Sequence, residues 1–318
     1  LQQRLYTVFE DNAPKVLRVL AAIPEGQGQE DAPYRLYVAT GFWASADGHI
    51  VTTAQGLDET LEIWVQHQGR AYPAAWVGKD ALSGIALLKV DLRAADDQAQ
   101  LGFIPLSQHP ALPRVATQVV AISCEMGLDP GLSQGLITGH NLHYGGQVFP
   151  TTYLRADLPC EGGEVGAPVF DLQGRFVGVM VLALPEIRSC FILPAQATAK
   201  IRDDLLLSGK AQYAYLGLKI DEESITQWRD AYPLLISEVT EGSPAQRAGI
   251  QPLDVLSKID DVKVANLQDL HNRMFYCRPG QYLNLEVVRK GQTLRFAVKA
   301  EVMPQGLAAA PEAPASKP

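Results

Sequence analysis

Charge is scarce in these 318 residues: Asp, Glu, Lys and Arg together make up 19% of the chain, and the balance is acidic, at net −8. No cluster of Lys and Arg stands out, which disfavours a nucleic-acid role, because such a role needs a basic footprint. Cysteine is scarce as well. The four present cannot make a disulfide scaffold in a chain of this length, although they allow one or two bridges. Long apolar runs are lacking; the longest, around Phe176 to Leu184, is too short to span a bilayer. The chain opens on Leu1 without a charged stretch leading into an apolar one. A processed or trimmed chain, its targeting segment gone if it had one, is therefore expected.

What is present is apolar substance, 47% of the residues, enough for the cores of two or three domains. After a helical start in RLYTVFEDN that yields to a strand at Pro14, the body from Tyr34 to Leu193 reads as many short strands. YRLYVATGFWAS, HIVTTA, LEIWVQH, IALLKVDL, TQVVAIS, QGLITGHNL and FVGVMVLAL are separated by Gly, Pro, Asp and Ser turns. Strands at that spacing with little helix between them predict an all-β sandwich or barrel. LPAQATAKIRDDLLLSGKA then has helical spacing, with Ala197, Ile201, Leu205 and Leu206 on one side. From Tyr213 to Val302 a second α+β pattern follows. It has strands at AYLGLKI and PLLISEV, a short helix opened by Ser243-Pro244 and closed by Gly249, an amphipathic helix at NLQDLHNRMFYC and a closing hairpin around Lys290-Gly291. After Met303 an Ala/Pro-rich stretch cannot build a core and is expected to be disordered.

One stretch poses the functional question. CEGGEVGAPVFDLQGRFVGVMV, Cys160 to Val181, is a glycine-rich turn, a strand, a second turn and a second strand. In a large class of enzymes such a turn carries a nucleophilic serine, but here Val165 occupies that place.

Five segments in this order and at this spacing resemble the HtrA (DegP/DegS-like) family. They are GFWASADGHIVTTAQGL, AWVGKDALSGIALLKV, AISCEMGL with QGLITGHN, LRADLPCEGGEVGAPVFDLQGRFVGV and CFILPAQATAKI. The resemblance covers nearly the whole chain apart from its tail. It implies a mainly β fold, a trypsin-like double β-barrel followed by an α+β PDZ domain and a disordered C-terminal tail. It places the trypsin-like (pseudoprotease) domain at 1–208, the PDZ domain at 209–303 and the tail at 304–318.

By the same resemblance the family's histidine, aspartate and serine fall on Gln55, Gly84 and Val165. Triad chemistry needs a nucleophile, an imidazole base and an orienting carboxylate, and these three side chains supply none of them. A chain that is not an enzyme is the resulting expectation: a pseudoprotease that holds, presents or recruits protein clients as a scaffold, adaptor or chaperone-like subunit. The alternatives are a regulatory partner of an active relative, a cryptic hydrolase using Ser83, Ser123, Cys124, Cys160, Cys190 or one of the six histidines, and a metal-binding protein. His140 and His143 are three apart, but on a strand that spacing puts them on opposite faces, so no metal and no cofactor is expected. Resemblance to secreted trypsin-like enzymes also implies a Cys160–Cys190 disulfide. It would close a loop of about thirty residues and contribute roughly 3–4 kcal/mol. The other reading is two buried thiols.

In the second domain the resemblance assigns the carboxylate-binding loop to Tyr215, Leu216, Gly217 and Leu218. Leu216 and Leu218 would line the pocket for a peptide's last side chain, with Leu267, Leu270, His271 and Met274 as the facing wall. Two departures stand out: Pro252-Leu253-Asp254 replaces the family's Pro-Gly-Asp, and Asp260-Asp261 replaces its Asn-Gly. Because Asp tolerates positive φ less well than Gly, a reshaped hairpin is expected there. Tyr6 and Phe9 stand where family members assemble into trimers. The partners implied are proteins or peptides and a homotrimer, with no nucleic acid and no membrane span, and the place implied is the bacterial periplasm or cell envelope.

Overall fold

Glycine and proline turns cut the chain into twenty-one strands and four helices among the residues described by the computed structural model: 1–24, 34–92, 101–106, 111–145, 147–160, 163–221 and 234–304. They fall into two compact units, Leu1–Asn141 with Tyr153–Ala211, and Leu142–Thr152 with Gln212–Pro318. The tail expected to be disordered lies, apart from Pro304, outside the described residues.

In the first unit, helix α1 (Gln2–Asn12) passes through a single turn at Pro14 into β1 (Val16–Pro24), as its sequence predicts. Strands β2 (Tyr34–Trp43), β3 (His49–Thr53), β4 (Ile63–His67), β5 (Arg70–Pro73), β6 (Ala75–Asp80) and β7 (Ile85–Lys89) complete a seven-stranded antiparallel sheet ordered β5-β4-β1-β2-β3-β7-β6. Strands β8 (Gln118–Ser123), β9 (Gly131–Tyr144), β10 (Gln147–Ala156), β11 (Pro168–Asp171), β12 (Phe176–Leu184) and β13 (Ser189–Pro194) close into a six-stranded barrel, of which Leu142–Thr152, the end of β9 and start of β10, is counted with the second unit. Alternation fills the inside of the first sheet with Leu17, Val19, Ala39, Trp43, Ile50, Val65 and Leu88, and that of the barrel with Val119, Ala121, Ile137, Leu154, Val169 and Ile192.

Helix α2 (Ala195–Ser208) buries Ala197, Ile201 and Leu205, but Leu206 is 45% exposed. The covered face turns the other way instead, to an ion pair between Lys200 and Asp204 (2.7 Å) on the neighbouring i, i+4 row. Pairing lets these two charges be buried, and it takes the place that the apolar pattern gave to Leu206.

The second unit is built on β14 (Ala214–Tyr215), β15 (Leu218–Ile220), β16 (Leu234–Val239), β17 (Val255–Ile259), β18 (Val262–Lys263), β19 (Tyr282–Arg289), β20 (Gln292–Lys299) and β21 (Glu301–Val302). Its main sheet runs β15-β16-β17-β19-β20, with β18 on β17. Helix α3 (Pro244–Ala248) is capped by Ser243, whose hydroxyl accepts from the Gln246 N–H. In α4 (Leu267–Tyr276) the Asn266 side chain does the same for Asp269 (2.9 Å). The expected reshaping of the Asp260-Asp261 hairpin is corrected. Both residues take the left-handed φ of a two-residue hairpin turn, 49° and 64°, with Ile259 still paired to Val262. Tertiary bonds hold the strained pair: Asp260 accepts from the Asn284 N–H at 2.9 Å and meets Arg273 at 2.8 Å.

Candidate functional sites

In the first unit the turn at 163–167 is shaped by two glycines and one threonine. Gly163 and Gly166 have φ of +89° and +96°. A Cβ on Gly166 would stand 2.0 Å from the Thr40 carbonyl oxygen, so no other residue fits. Thr40 clamps the turn from β2. Its hydroxyl donates to the Gly163 carbonyl (2.8 Å) and accepts from the Cys124 N–H (2.9 Å), while its own N–H donates to the Val165 carbonyl (3.2 Å). Thr52 donates in turn to the Thr40 carbonyl at 2.7 Å.

The other two aligned positions lie on linked backbone, since the Ala54 N–H donates to the Gly84 carbonyl (2.8 Å). Gln55 is exposed, with its N–H on the Thr53 hydroxyl (3.0 Å) and its carbonyl on the Tyr37 phenol (2.6 Å). Gly84 has φ +80°, where a side chain is strained, and a Cβ there would press on Val181 at 3.1 Å. The side chains at Gln55, Gly84 and Val165 supply no nucleophile, base or acid. Ser45, Asp47 and His49 do meet in a surface turn. Both the Ser45 hydroxyl and the Asp47 carboxylate face the same imidazole nitrogen, Nδ1, at 3.1 Å. An imidazole relay needs the two partners on opposite nitrogens, so this cluster is a turn brace.

The disulfide expected between Cys160 and Cys190 is corrected: all four cysteines are free and buried. The Cys160 thiol donates to the carbonyls of Ser189 (3.1 Å) and Leu158 (3.3 Å), so it is satisfied in the core without a bridge. Burial pushes the Cys160 and Cys190 thiols upward and the Cys124 thiol up to about 12, away from reactive thiolates. His140 and His143 share β9, and His140 Nε2 lies 2.7 Å from the Pro113 carbonyl oxygen. Among the described residues no group of three or more His, Cys, Asp or Glu could hold a metal ion, and no helix is long and apolar enough to cross a membrane.

In the second unit the loop Tyr215 to Leu218 has its carbonyls tied inward. The Leu216 carbonyl accepts from Ala245 (3.0 Å) and the Gly217 carbonyl from Thr240 (2.9 Å). In a trans peptide the following N–H points the opposite way, so the N–H groups of Gly217 and Leu218 face outward. With Leu218 opposite Val239, the bond from Thr240 to Gly217 also makes Leu218 a non-hydrogen-bonded partner of β16, its backbone turned to the edge of β15, which pairs with no other strand among the described residues. Two outward N–H groups followed by a free strand edge can take a carboxylate and then an extended chain.

The candidate wall residues divide. Leu216 (5% exposed) and Leu270 (8%) belong to the core, which corrects their assignment to the pocket; Leu218, Leu267 and Met274 sit half-buried at its margin. His271 is half-buried, its ring bonded to the Phe149 backbone, and burial lowers its pKa despite that bond. Reasoning from the sequence missed Gln268 and Asn272. Asn272 Oδ1 accepts from the Thr151 hydroxyl and the Thr152 N–H, both at 2.8 Å, and Gln268 donates to the Thr152 hydroxyl at 2.8 Å. A polar i, i+4 pair beside the apolar stripe was the only signal.

A description of the trypsin-like peptidase domain matches residues 39–179, and that of the PDZ domain matches 214–300. A probable periplasmic serine endoprotease, DegP-like, of Chlamydia trachomatis is 26% identical over 83% of this chain and 54% of its own length. The protein of that name from Pseudomonas fulva is 28% identical over 93% of this chain and 61% of its own. The chain thus spans little more than half the length of these curated relatives. Among solved structures, the HtrA-type protease AlgW with tripeptide superposes with a TM-score of 0.75 over 94% of this chain and 97% of its own, at 20% identity. The serine endoprotease from Yersinia pestis gives 0.67, over 94% and 98% at 20% identity. These findings overturn the expectation of a chain that is not an enzyme: the relatives along most of its length are named proteases, and the comparisons point to a protease, although no triad is seen at the aligned positions.

Proposed function

Because this chain belongs to the HtrA family, trypsin-like peptidase domain followed by PDZ domain, we propose that it recognises protein partners in the bacterial periplasm through the peptide groove of its second unit. Residues 209–303 are then the recognition domain, and 1–208 the domain that holds or presents what is recognised, as a scaffold, adaptor or chaperone-like subunit does. The carrying observation is the outward pair of N–H groups at Gly217 and Leu218 beside the open edge of β15. The half-buried Leu218, Leu267 and Met274 suit an apolar last side chain. Tyr6, 52% exposed on α1, and the half-buried Phe9 would join three copies at the N-terminal segment.

Fluorescence anisotropy with peptides ending in a free apolar residue tests the reading. Binding should weaken at least tenfold when the terminal carboxylate is amidated, and again in Leu218→Glu. Equal binding of free and amidated peptides would overturn it. Hydrolysis of an unfolded protein, read in the same preparations, reports separately on the activity that the relatives' names carry.

A further inference from the structure

Three polar residues of α4, Gln268, His271 and Asn272, stand three and four positions apart and so share one side of the helix. All three reach the same short stretch of β10, where Phe149, Thr151 and Thr152 are buried. The His271 ring bonds the Phe149 backbone, Asn272 Oδ1 accepts from the Thr151 hydroxyl and the Thr152 N–H, and Gln268 donates to the Thr152 hydroxyl. Of the three, only the histidine changes its charge near neutral pH. Among the described residues no carboxylate is bonded to the ring. On α4 itself, Asp269 accepts from the Ala265 N–H at 2.9 Å, and Arg273 is paired with Asp260 at 2.8 Å. The stretch 142–152 carries His143 and Tyr144 but no Asp, Glu, Lys or Arg. Strand β14 brings Tyr215, and on β15 Lys219 is paired with Glu238 at 2.7 Å.

We propose that residues 149–152 are latched to α4 and that acid releases the latch: when His271 takes up a proton, its bond and those of Gln268 and Asn272 part together, and the stretch leaves the helix. In the latched state the ring is half-buried, and a charge placed there has no counter-charge to offset its lost hydration. Parting returns the ring to water, where it takes the proton at the ordinary 6.5. Acid therefore draws the equilibrium toward the released state, and the bonds of Gln268 and Asn272 oppose it. Those bonds are neutral, and water replaces each of them when it breaks, so their net hold is modest. One protonation is then a sizeable share of what keeps the stretch in place. The device does not depend on what the groove of this unit binds.

Amide hydrogen exchange on the full chain, read by NMR, tests this, because the Thr152 N–H is held by Asn272 itself. Its protection factor, which removes the pH dependence of chemical exchange, should fall at least about threefold between about pH 8 and pH 5. In His271→Gln, which keeps a donor but takes up no proton, it should stay level. Leu285, buried in β19 between β17 and β20, exchanges with opening of the whole unit. Thr152 should open at least about tenfold more often than Leu285 at every pH. By reciprocity, the His271 ring should titrate below 6.5 in the wild-type chain and return toward that value in Asn272→Ala, which removes the acceptor. Melting curves confirm that both variants fold. Four results would each overturn the proposal: Thr152 protection unchanged by acid, an acid loss that persists in His271→Gln, Thr152 and Leu285 opening as one, or a His271 midpoint that Asn272→Ala leaves in place.

Discussion

Replacing Gly217 by alanine tests the recognition loop at its tightest point. The residue has φ +79°, and a Cβ built there would lie 2.2 Å from Ser243 Cβ and 2.6 Å from its hydroxyl oxygen. Ser243 cannot move aside freely, since its N–H donates to Thr240 and its carbonyl accepts from Arg247. The left-handed backbone costs alanine about 1–2 kcal/mol and the overlap about 1–3 kcal/mol more, so roughly 2–5 kcal/mol of the unit's stability should be lost. Gly291→Ala supplies the reference: φ is +80°, but nothing lies within 4 Å. It should cost only the backbone part, about 1–2 kcal/mol. Ser243→Gly removes both clashing atoms and leaves Tyr215 Oη, 3.2 Å away, as the next neighbour. Exchanging that cap for glycine costs only about a few tenths of a kcal/mol. The double variant should therefore return close to the cost of Gly291→Ala, and it should recover the peptide binding that Gly217→Ala loses. Urea unfolding followed by circular dichroism gives the stabilities, and anisotropy gives the affinities. If Gly217→Ala costs no more than Gly291→Ala, or if Ser243→Gly rescues nothing, the loop is not packed as argued.

In the first unit, Gly166→Ala should cost about 3 kcal/mol or more, against about 1–2 kcal/mol for Gly69→Ala, because only the former meets a carbonyl oxygen; thermal unfolding reads the difference. Asp254, fully buried and held by Arg289 at 2.7 and 2.8 Å, should cost about 3–5 kcal/mol when replaced by alanine, measured by urea unfolding. Burial alone would raise its carboxyl, but the Arg289 bonds and the Gln251 N–H hold it below the ordinary 3.8. Its contribution is then complete above that value and lost as pH falls through the lower folded one, as urea titrations at about pH 5 and pH 3 would show. His271 is lowered from 6.5 by burial. The fold thus favours the neutral ring, and this stability is present above 6.5 and lost on acidification. The melting midpoint should be lower at about pH 5 than at pH 8, and His271→Gln should shrink that difference.

The order of strands and helices was legible because turn residues mark it. Pro14 ends α1's helical run, Ser243-Pro244 and Gly249 bracket α3, and Asn266 caps α4. Where the reading failed, tertiary partners had overridden local preference. Leu206 carries an apolar side chain at helical spacing, yet the Lys200–Asp204 pair takes the covered side of α2. Asp260 and Asp261 should resist positive φ, but Arg273 and the Asn284 N–H hold the turn. Neither partner is near in sequence, so no local pattern announces it. Of the two readings left open for Cys160 and Cys190, the structure has the buried thiols, and a carbonyl from β13 and one from the segment before the turn accept from Cys160.

At the sites the same distinction separates backbone from side chain. Gly163, Gly166 and Gly217 could be read as turn-makers from the sequence alone, because each sits where only glycine fits. Which way a leucine beside such a glycine points could not be read. Leu216 and Leu218 flank one residue and would share a face in a continuous strand, but the left-handed backbone of Gly217 between them breaks the strand, and the first lies in the core while the second stays at the margin. Thr40 shows how far this goes. It lies over a hundred residues before the turn it clamps, yet its hydroxyl, N–H and carbonyl each hold a different part of that turn and its neighbours. A turn fixed from outside keeps its backbone whatever side chain stands at 165. Its shape therefore reports on how the barrel is built, and the chemistry of residue 165 has to be measured on its own.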